Sequence, residues 1–368
     1  MKICYFADAQ NIHTQRWVKY FVERGHEIHL ISFKKAEIEN ICFHYIGPLI
    51  RVSHFSILFL LFLKFIKIKK IIKEINPDII HGHYLLEHGF YAATSGFNPL
   101  IVSAWGSDVL VSPKKSFISR FILKYTIRKA DMIHSVSNQL TNELISYGVD
   151  KGRILNSPIG VDTERFNPDV CCSETRESLG WKDNPIVLSI RNFERIYNIE
   201  CLINAIPFVV KEIPDAKFML IGKGSLENRL KNMVKESGIS NSAKFIDYVQ
   251  YDELPSYFGC ADIYVSTSLS DGTSISLLEA MAYGLPVVVT NITGNKSWIK
   301  NNKNGYLFEK KDSEALAKHL INLIKDREKS KSFGEINRKI VKEKGDHNKN
   351  MEKIERVYKN LINAYQVK

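Results

Sequence analysis

Four stretches of the sequence bring cations, glycines, hydroxyls and an acid to the ends of apolar runs. They are "RNFER" after residue 190, "GKGS" after 221, "LSDGTS" after 268 and "NITGN" after 290. A set of this kind suits a nucleoside diphosphate carrying a sugar. Gly222, Gly224 and Gly272 have no Cβ to keep backbone N–H groups away from a pyrophosphate, and Arg191 and Arg195 carry charge that can neutralise it. Thr273, Ser274 and Ile275 open a short helix, and the amino end of a helix is itself an anion site.

The spacing predicts that helix from about Ser274 to Tyr283, stopped by Gly284, with Pro286 opening the next strand. Ile275, Leu278, Met281 and Ala282 give it an apolar face, which leaves Glu279 as an acid on a helix built for burial. An ionised carboxylate there is costly unless it is paired or faces a polar ligand. A ribose diol is one such ligand, and a structural ion pair is the alternative.

Loops can converge only if the strands before them lie side by side. Short β-rich runs at 2–7, 27–33, 42–47, 78–83, 100–105, 132–137 and 154–159 alternate with helix-length segments, and the pattern restarts at 186–190, 217–221, 243–249, 263–268, 286–290 and 305–308. Strands separated by helices pair in parallel with right-handed crossovers. The reading is α/β with two Rossmann-like doubly wound domains facing each other across a cleft: residues 1–168, residues 169–346, and a C-terminal helix over 347–368 packing back across them. Met351, Ile354, Val357 and Leu361 set the helical spacing of that tail. In such sheets ligands bind beyond the carboxyl ends of the strands, where the four stretches lie.

At 368 residues, 45% hydrophobic and 25% charged, the chain has the composition of a soluble globular protein with room for two cores. Cys4, Cys42, Cys171, Cys172, Cys201 and Cys260 form neither a C-x-x-C pair nor a zinc-like spacing with histidine. Free buried thiols in a reducing cytoplasm are expected, and "MKICYFADAQ" lacks the long apolar region of a secretory signal.

The net charge is +11, and two basic clusters lie in the first half. Lys64, Lys67, Lys69, Lys70 and Lys73 follow the apolar run Ile57 to Leu63, and Lys114, Lys115, Arg120, Lys124, Arg128 and Lys129 fall before Asp131 with no acid among them. Seven apolar residues are far short of the ~20 a spanning helix needs. With its lysines the segment reads as a basic amphipathic helix resting on an anionic leaflet, and a core helix with a solvated lysine face is the alternative. Nucleic acid is not expected as a partner, because the basic runs lack interleaved aromatics and a recognisable binding module.

Over essentially the whole chain these motifs, in order, resemble the retaining GT-B glycosyltransferases of family four. "SDGTSISLLEAMAYGLPVVVT" looks like the family's E-x7-E segment, with Asp271 and Glu279 at its acidic positions; "SIRNFE" resembles the strand and arginine that open the donor domain, and "LIGKGS" its glycine loop. "LNSPIGVDTERFNP" before the linker and "TGNKSWIKNNKNGYLF" are similar to further family segments. The resemblance implies a GT-B fold, a nucleotide-sugar co-substrate with neither cofactor nor metal, and retention by front-face displacement. Glu279 would bind the ribose, Asp271 the donor sugar, Arg191 the diphosphate, and the backbone of Gly272 to Ile275 the sugar and phosphates. Val249 stands where the family holds the base. Tyr197 and Asn198 replace the lysine-glycine pair that commonly follows the arginine, which makes Arg195 the candidate for a second phosphate cation. Asp271 stands where the family usually has glutamate.

For the acceptor half the resemblance points to Asn11, His13 and Thr14 after the first strand, and to "AWGSD", where Trp105 occupies a position usually held by histidine and Asp108 is retained. Trp105 is read as a stacking platform for an acceptor sugar. His13 is the favoured catalytic histidine, while His81 and His83 are expected to be satisfied core residues. The implied activity is hexosyl transfer to a saccharide or lipid-linked acceptor in surface polysaccharide or glycolipid synthesis, in the cytoplasm or on the inner face of the cell membrane. A nucleotide-sugar epimerase on the same architecture and a catalytically inactive sugar-nucleotide-binding protein are the alternatives.

Overall fold

The computed structural model describes residues 1–47, 56–169 and 173–367, with the side chains of 56–62 and 173 also outside the description. Cys171 and Cys172, and the side chains of most of the apolar run 57–63, therefore lie outside the described residues. The chain divides into two compact units, Met1–Ile159 with Asn348–Lys368, and Gly160–His347.

The first unit is built on a seven-stranded sheet: β1 (Lys2–Phe6), β2 (Glu27–Ser32), β3 (Cys42–Tyr45), β4 (Ile79–His83), β5 (Leu100–Ala104), β6 (Met132–Ser135) and β7 (Ile154–Asn156), in the order β3-β2-β1-β4-β5-β6-β7. The second carries β8 (Ile186–Ile190), β9 (Lys217–Ile221), β10 (Ala243–Ile246), β11 (Ile263–Ser266), β12 (Val287–Thr290) and β13 (Tyr306–Phe308), in the order β10-β9-β8-β11-β12-β13. Every pairing is parallel. Both sheets reverse direction beside their first strand, the doubly wound arrangement expected from the alternation.

Strands this apolar must be covered on both faces. Along β1 the side chains divide by parity: Cys4 and Phe6 join the cluster containing Ile68, Ile72, Tyr91, Leu123, Ile127 and Leu140, while Ile3 and Tyr5 join Trp17, Val18, Phe21, Met351, Ile354 and Tyr358. The second unit repeats this, with Val187 on one side of its sheet and Ile186 and Leu188 on the other. A buried edge is not universal: Cys42, at the start of edge strand β3, is exposed, whereas Cys4, Cys201 and Cys260 are the buried free thiols expected.

The tail helix His347–Gln366 completes the core of the first unit. Its fully buried stripe is Met351, Ile354 and Tyr358, and Val357 and Leu361 are only partly buried against it. The boundary after the first strand set falls at Ile159, not 168, because residues 160–163 belong with the start of the tail. Val161 N–H donates to Gly345 O at 2.8 Å, His347 N–H to Val161 O at 2.9 Å, and Thr163 Oγ1 to Asp346 Oδ2 at 2.5 Å. A Cβ at Gly160 would come 2.5 Å from Gly345 O, so the two passages of chain touch backbone to backbone.

Candidate active site

The loops after β8 and β11 meet at the amino end of the helix Ile275–Ala282, and the loop after β9 packs on the loop after β8. Ser274 caps that helix, its Oγ accepting from Leu277 N–H at 3.3 Å, and Tyr283 ends it before Gly284 at φ +79°. Seven of its eight residues are buried, Glu279 among them at 3% exposure. An acid so placed on an apolar helix keeps its charge only by specific interactions.

Arg191 is the hub of the loops. Its Nε and Nη2 donate to Ser268 Oγ at 3.2 and 3.0 Å, Nη1 to Ser274 Oγ at 2.9 Å and Ser276 Oγ at 3.4 Å, and Nη2 also to Asp271 Oδ2. The guanidinium lies 4.4 Å from the ring centre of Tyr197. Burial is the largest influence and works against its charge, but the Asp271 carboxylate together with Tyr264 and Tyr197 outweighs it, so the Arg191 pKa sits above the ordinary arginine value. All five of its N–H groups have acceptors within 268–276, which makes Arg191 a clamp on the helix start as well as a source of charge. For it to hold a diphosphate, one of those acceptors must yield.

The glycines also let neighbouring loops touch backbone to backbone. An added Cβ at Gly222, whose φ is +153°, would sit 2.2 Å from Arg191 O, and one at Gly224 would sit 2.4 Å from Phe193 O. The space on that side is filled by the loop after β8, with Phe193 N–H donating to Lys223 O at 2.9 Å. Gly294, in "NITGN", is needed in the same way: its Cβ would come 2.3 Å from Asp271 O and 2.5 Å from Gly272 O. These contacts fix the loop that carries Asp271. Thr273 and Ile275 are half-buried at the helix start, Arg195 is exposed on the turn Arg195–Tyr197, and Val249 is buried in the loop after β10, which ends at Ile246 and not at 249. Ser268, Ser276, Tyr264 and Gly294 were not singled out from sequence; the serine-rich run "STSLSDGTSIS" was the available sign that a buried cation needed acceptors.

In the first unit a cavity of about 300 Å³ is lined by Asp8, Asn11, His83, Tyr84, Glu87, His88, Trp105 and Ser107. Asn11 also caps the helix Ile12–Glu23, accepting from His13 N–H at 2.8 Å. Trp105 packs 5.1 Å from His83, with His13 edge-on at 6.1 Å, and its Nε1 makes no hydrogen bond with a described residue. Thr14, expected beside the acceptor, is completely buried instead, because residues 14, 17, 18 and 21 form the core face of its helix.

Asp108 is likewise buried in full. Its two oxygens accept from the N–H groups of Leu85 at 3.0 Å, Gly106 at 2.8 Å and Trp105 at 3.2 Å, tying the loop after β4 to the loop after β5. Burial raises its pKa to about 6 against those backbone hydrogen bonds. That geometry makes it a positioning carboxylate beneath Trp105 and not a group open to substrate.

The two histidines of β4 separate here. His81 is satisfied, by Tyr358 at Nδ1 and by Ser103 Oγ at 2.7 Å, and Ser103 continues to His134 and the carbonyl of Ser157. His83 is 1% exposed, lines the cavity, and has neither ring nitrogen hydrogen-bonded to a described residue. Burial holds its pKa well below the usual histidine value, so its ring is neutral near pH 7. A neutral imidazole can accept a hydrogen bond from a hydroxyl or donate one to it.

Residues 173–340 match the family described as "Glycosyl transferases group 1", and residues 2–137 match "Glycosyl transferase 4-like". Residues 173–340 carry a group 1 glycosyltransferase domain. Among its relatives is the N-acetyl-alpha-D-glucosaminyl L-malate synthase of Bacillus anthracis, 26% identical over 94% of this chain and 92% of that one. Another is the UDP-Gal:alpha-D-GlcNAc-diphosphoundecaprenol alpha-1,3-galactosyltransferase of Escherichia coli, 27% identical over 70% of this chain and 69% of that one. The crystal structure of Anabaena Alr3699/HepE in complex with UDP superposes with a TM-score of 0.82 at 18% identity, covering 98% of this chain and all of the other, which shows the GT-B fold. Group 1 glycosyltransferases act with retention and are generally metal-independent. The epimerase alternative has no support among these relatives.

Proposed function

We propose that this glycosyltransferase binds its nucleoside diphosphate sugar on the loops of the second unit and takes its acceptor hydroxyl in the 300 Å³ cavity of the first. The acceptor is a saccharide or lipid-linked saccharide, and the reaction belongs to surface polysaccharide or glycolipid synthesis on the inner face of the cell membrane. The observation that carries the reading is the buried Arg191, ringed by Ser268, Asp271, Ser274 and Ser276, at the amino end of the helix holding Glu279. Solved relatives bind UDP and UDP-glucose, and the Escherichia coli relative is named for a diphosphoundecaprenol acceptor, which supports a nucleotide donor and a lipid-linked acceptor here.

In this reading Glu279 accepts from the ribose, and Gly272 to Ile275 present backbone groups to sugar and phosphates. Val249 holds the base through its main chain, with Arg195 as the outer phosphate cation. Asp271 exchanges Arg191 for donor-sugar hydroxyls as the diphosphate arrives. Arg191 and the helix terminus then stabilise the leaving diphosphate as the glycosidic bond breaks. His83 and Trp105 orient the acceptor, with His13 behind Trp105. Among the described residues no helix is long and apolar enough to cross a membrane, so the proposed membrane contact is peripheral.

A panel of nucleotide sugars tests this by thermal shift, since a ligand at 100 times its Kd stabilises by about 2.7 kcal/mol. One donor should raise the melting temperature and release free sugar slowly without acceptor. No shift across the panel would overturn the donor site, and a shift without sugar release would indicate an inactive binding protein. With the donor known, His83→Ala should lower the acceptor-dependent rate ~10²-fold while leaving donor hydrolysis unchanged. Parental transfer by that variant would remove His83 from the acceptor site.

A further inference from the structure

On the helix Phe117–Lys129 the buried positions are Leu123, Thr126 and Ile127. A period of 3.6 residues puts Phe117, Ile118 and Phe121 on the opposite face, where they are 84%, 70% and 64% exposed. Three large apolar side chains on one turn, in water, are unusual on a monomer surface.

Around them is a field of one sign. Lys115, Arg120, Lys124, Arg128 and Lys129 are exposed, and Lys114 alone of this group is in an ion pair, with Glu143 at 2.9 Å. Residues 109–130 contain no acid. The helix Ser56–Ile75 packs Ile68 and Ile72 into the same cluster as Leu123 and Ile127, so both helices cover one face of the sheet. It exposes Leu63 at 44% and Ile66 at 50% beside Lys67, Lys69 and Lys70. Phe90, on the helix between them, packs against Phe65 of one and Tyr125 of the other.

We infer that this layer is a membrane-docking surface, with Phe117, Ile118 and Phe121 inserted at the headgroup boundary of an anionic phospholipid bilayer and the surrounding cations on its phosphates. Charge decides the occupant. A second copy of this face would set lysine against lysine, whereas an anionic leaflet offers acyl chains to the apolar trio and phosphates to its rim. The chain leaves β5 at Ala104, forms the cavity wall at Trp105 and Ser107, and enters this helix at Phe117, so the docking turn and the cavity lie on the same edge of the first unit. The inference rests on the lipid-linked acceptor reading and narrows it: the expected basic helix after residue 57 is joined by a turn that carries the insertion.

The test uses the full chain and vesicles of phosphatidylcholine with and without phosphatidylglycerol. The parent should sediment with the anionic vesicles alone. A variant carrying Phe117→Ser, Ile118→Ser and Phe121→Ser should bind them at least about tenfold more weakly at an unchanged melting temperature, and Arg120→Glu with Lys124→Glu should do the same. Phe121→Trp should shift its emission to the blue on anionic vesicles. Parental binding by the serine variant, no binding by the parent, an unmoved emission at position 121, or loss of a dimer in the serine variant would each overturn the inference. Donor-induced thermal shift and donor hydrolysis, measured on the same samples, report on the transferase reading separately, because none of these positions lies on the donor loops.

Discussion

Arg191→Ala is expected to lower kcat by ~10²–10³-fold, the effect of removing one preorganised group from a developing negative charge. The estimate follows from where the guanidinium sits: nine-tenths of the side chain is out of water, so its field on a departing diphosphate is weakly screened. The same residue clamps Ser268, Asp271, Ser274 and Ser276, and its loss leaves a part-buried carboxylate without its cation. Two comparisons separate charge from clamp. Arg191→Lys keeps the charge but cannot reach four partners with one ammonium group, so a rate recovered by lysine would assign the effect to charge. A melting temperature that falls equally in both variants would assign the remainder to the clamp. Turnover equal to the parent in Arg191→Ala would remove the residue from the reaction.

Acid should unfold the first unit early. His81, His83, His88 and His134 are buried there, and burial holds each below the ordinary histidine pKa, His88 and His134 at about 4. In the unfolded chain they would protonate near 6.5. The folded state binds fewer protons in that interval, so the stability these neutral rings contribute is complete above pH 6.5 and drains as pH falls toward 4. At pH 5 the loss is about 2 kcal/mol for each of His88 and His134. Asp108 acts in the other direction. Its folded pKa of about 6 lies above its unfolded value, so acidification from pH 7 to 5 returns about 1 kcal/mol. His88, His134 and Asp108 together give a loss of about 3 kcal/mol, a large part of an ordinary domain's margin, and His81 and His83 add to it in the same direction. Thermal melts at the two pH values check it, and an unchanged first transition at pH 5 would contradict it.

The course of the chain was legible because parallel strands and their crossovers leave a local mark. All thirteen strands fall where apolar runs predict them, and Ser274 and Gly284 bound the helix of Glu279 as capping chemistry requires. What was not legible depends on partners distant in sequence. His81 and His83 are two residues apart on one strand face, yet Tyr358, 277 positions away, satisfies one and leaves the other to the cavity. Gly222 and Gly224 read as room for a phosphate, and nothing local shows that the backbone of Arg191 and Phe193 also occupies the side a Cβ would take. Asp108 was read as a retained acid after the fifth strand, and only the three amides converging on it show that it braces Trp105 from the short helix Ser107–Leu110. The apolar trio on the helix Phe117–Lys129 looks like core in a linear reading, since a helical period does not say which face finds a sheet.

The tail helix also bears on the order in which the protein can be made. The first 159 residues leave the ribosome before any of the second unit, yet the cluster in which Trp17 and Phe21 of the helix Ile12–Glu23 pack on Ile3 and Tyr5 of the sheet receives Met351, Ile354 and Tyr358 only after the second unit has been made. Until then that apolar face is covered only in part, by the helix Ile12–Glu23, and His81 has no tyrosine. The second unit, contiguous from Gly160 to His347, has no such wait and can finish first. The domain translated first is therefore the one completed last, and a nascent chain stalled inside the second unit would present an open, aggregation-prone core to chaperones.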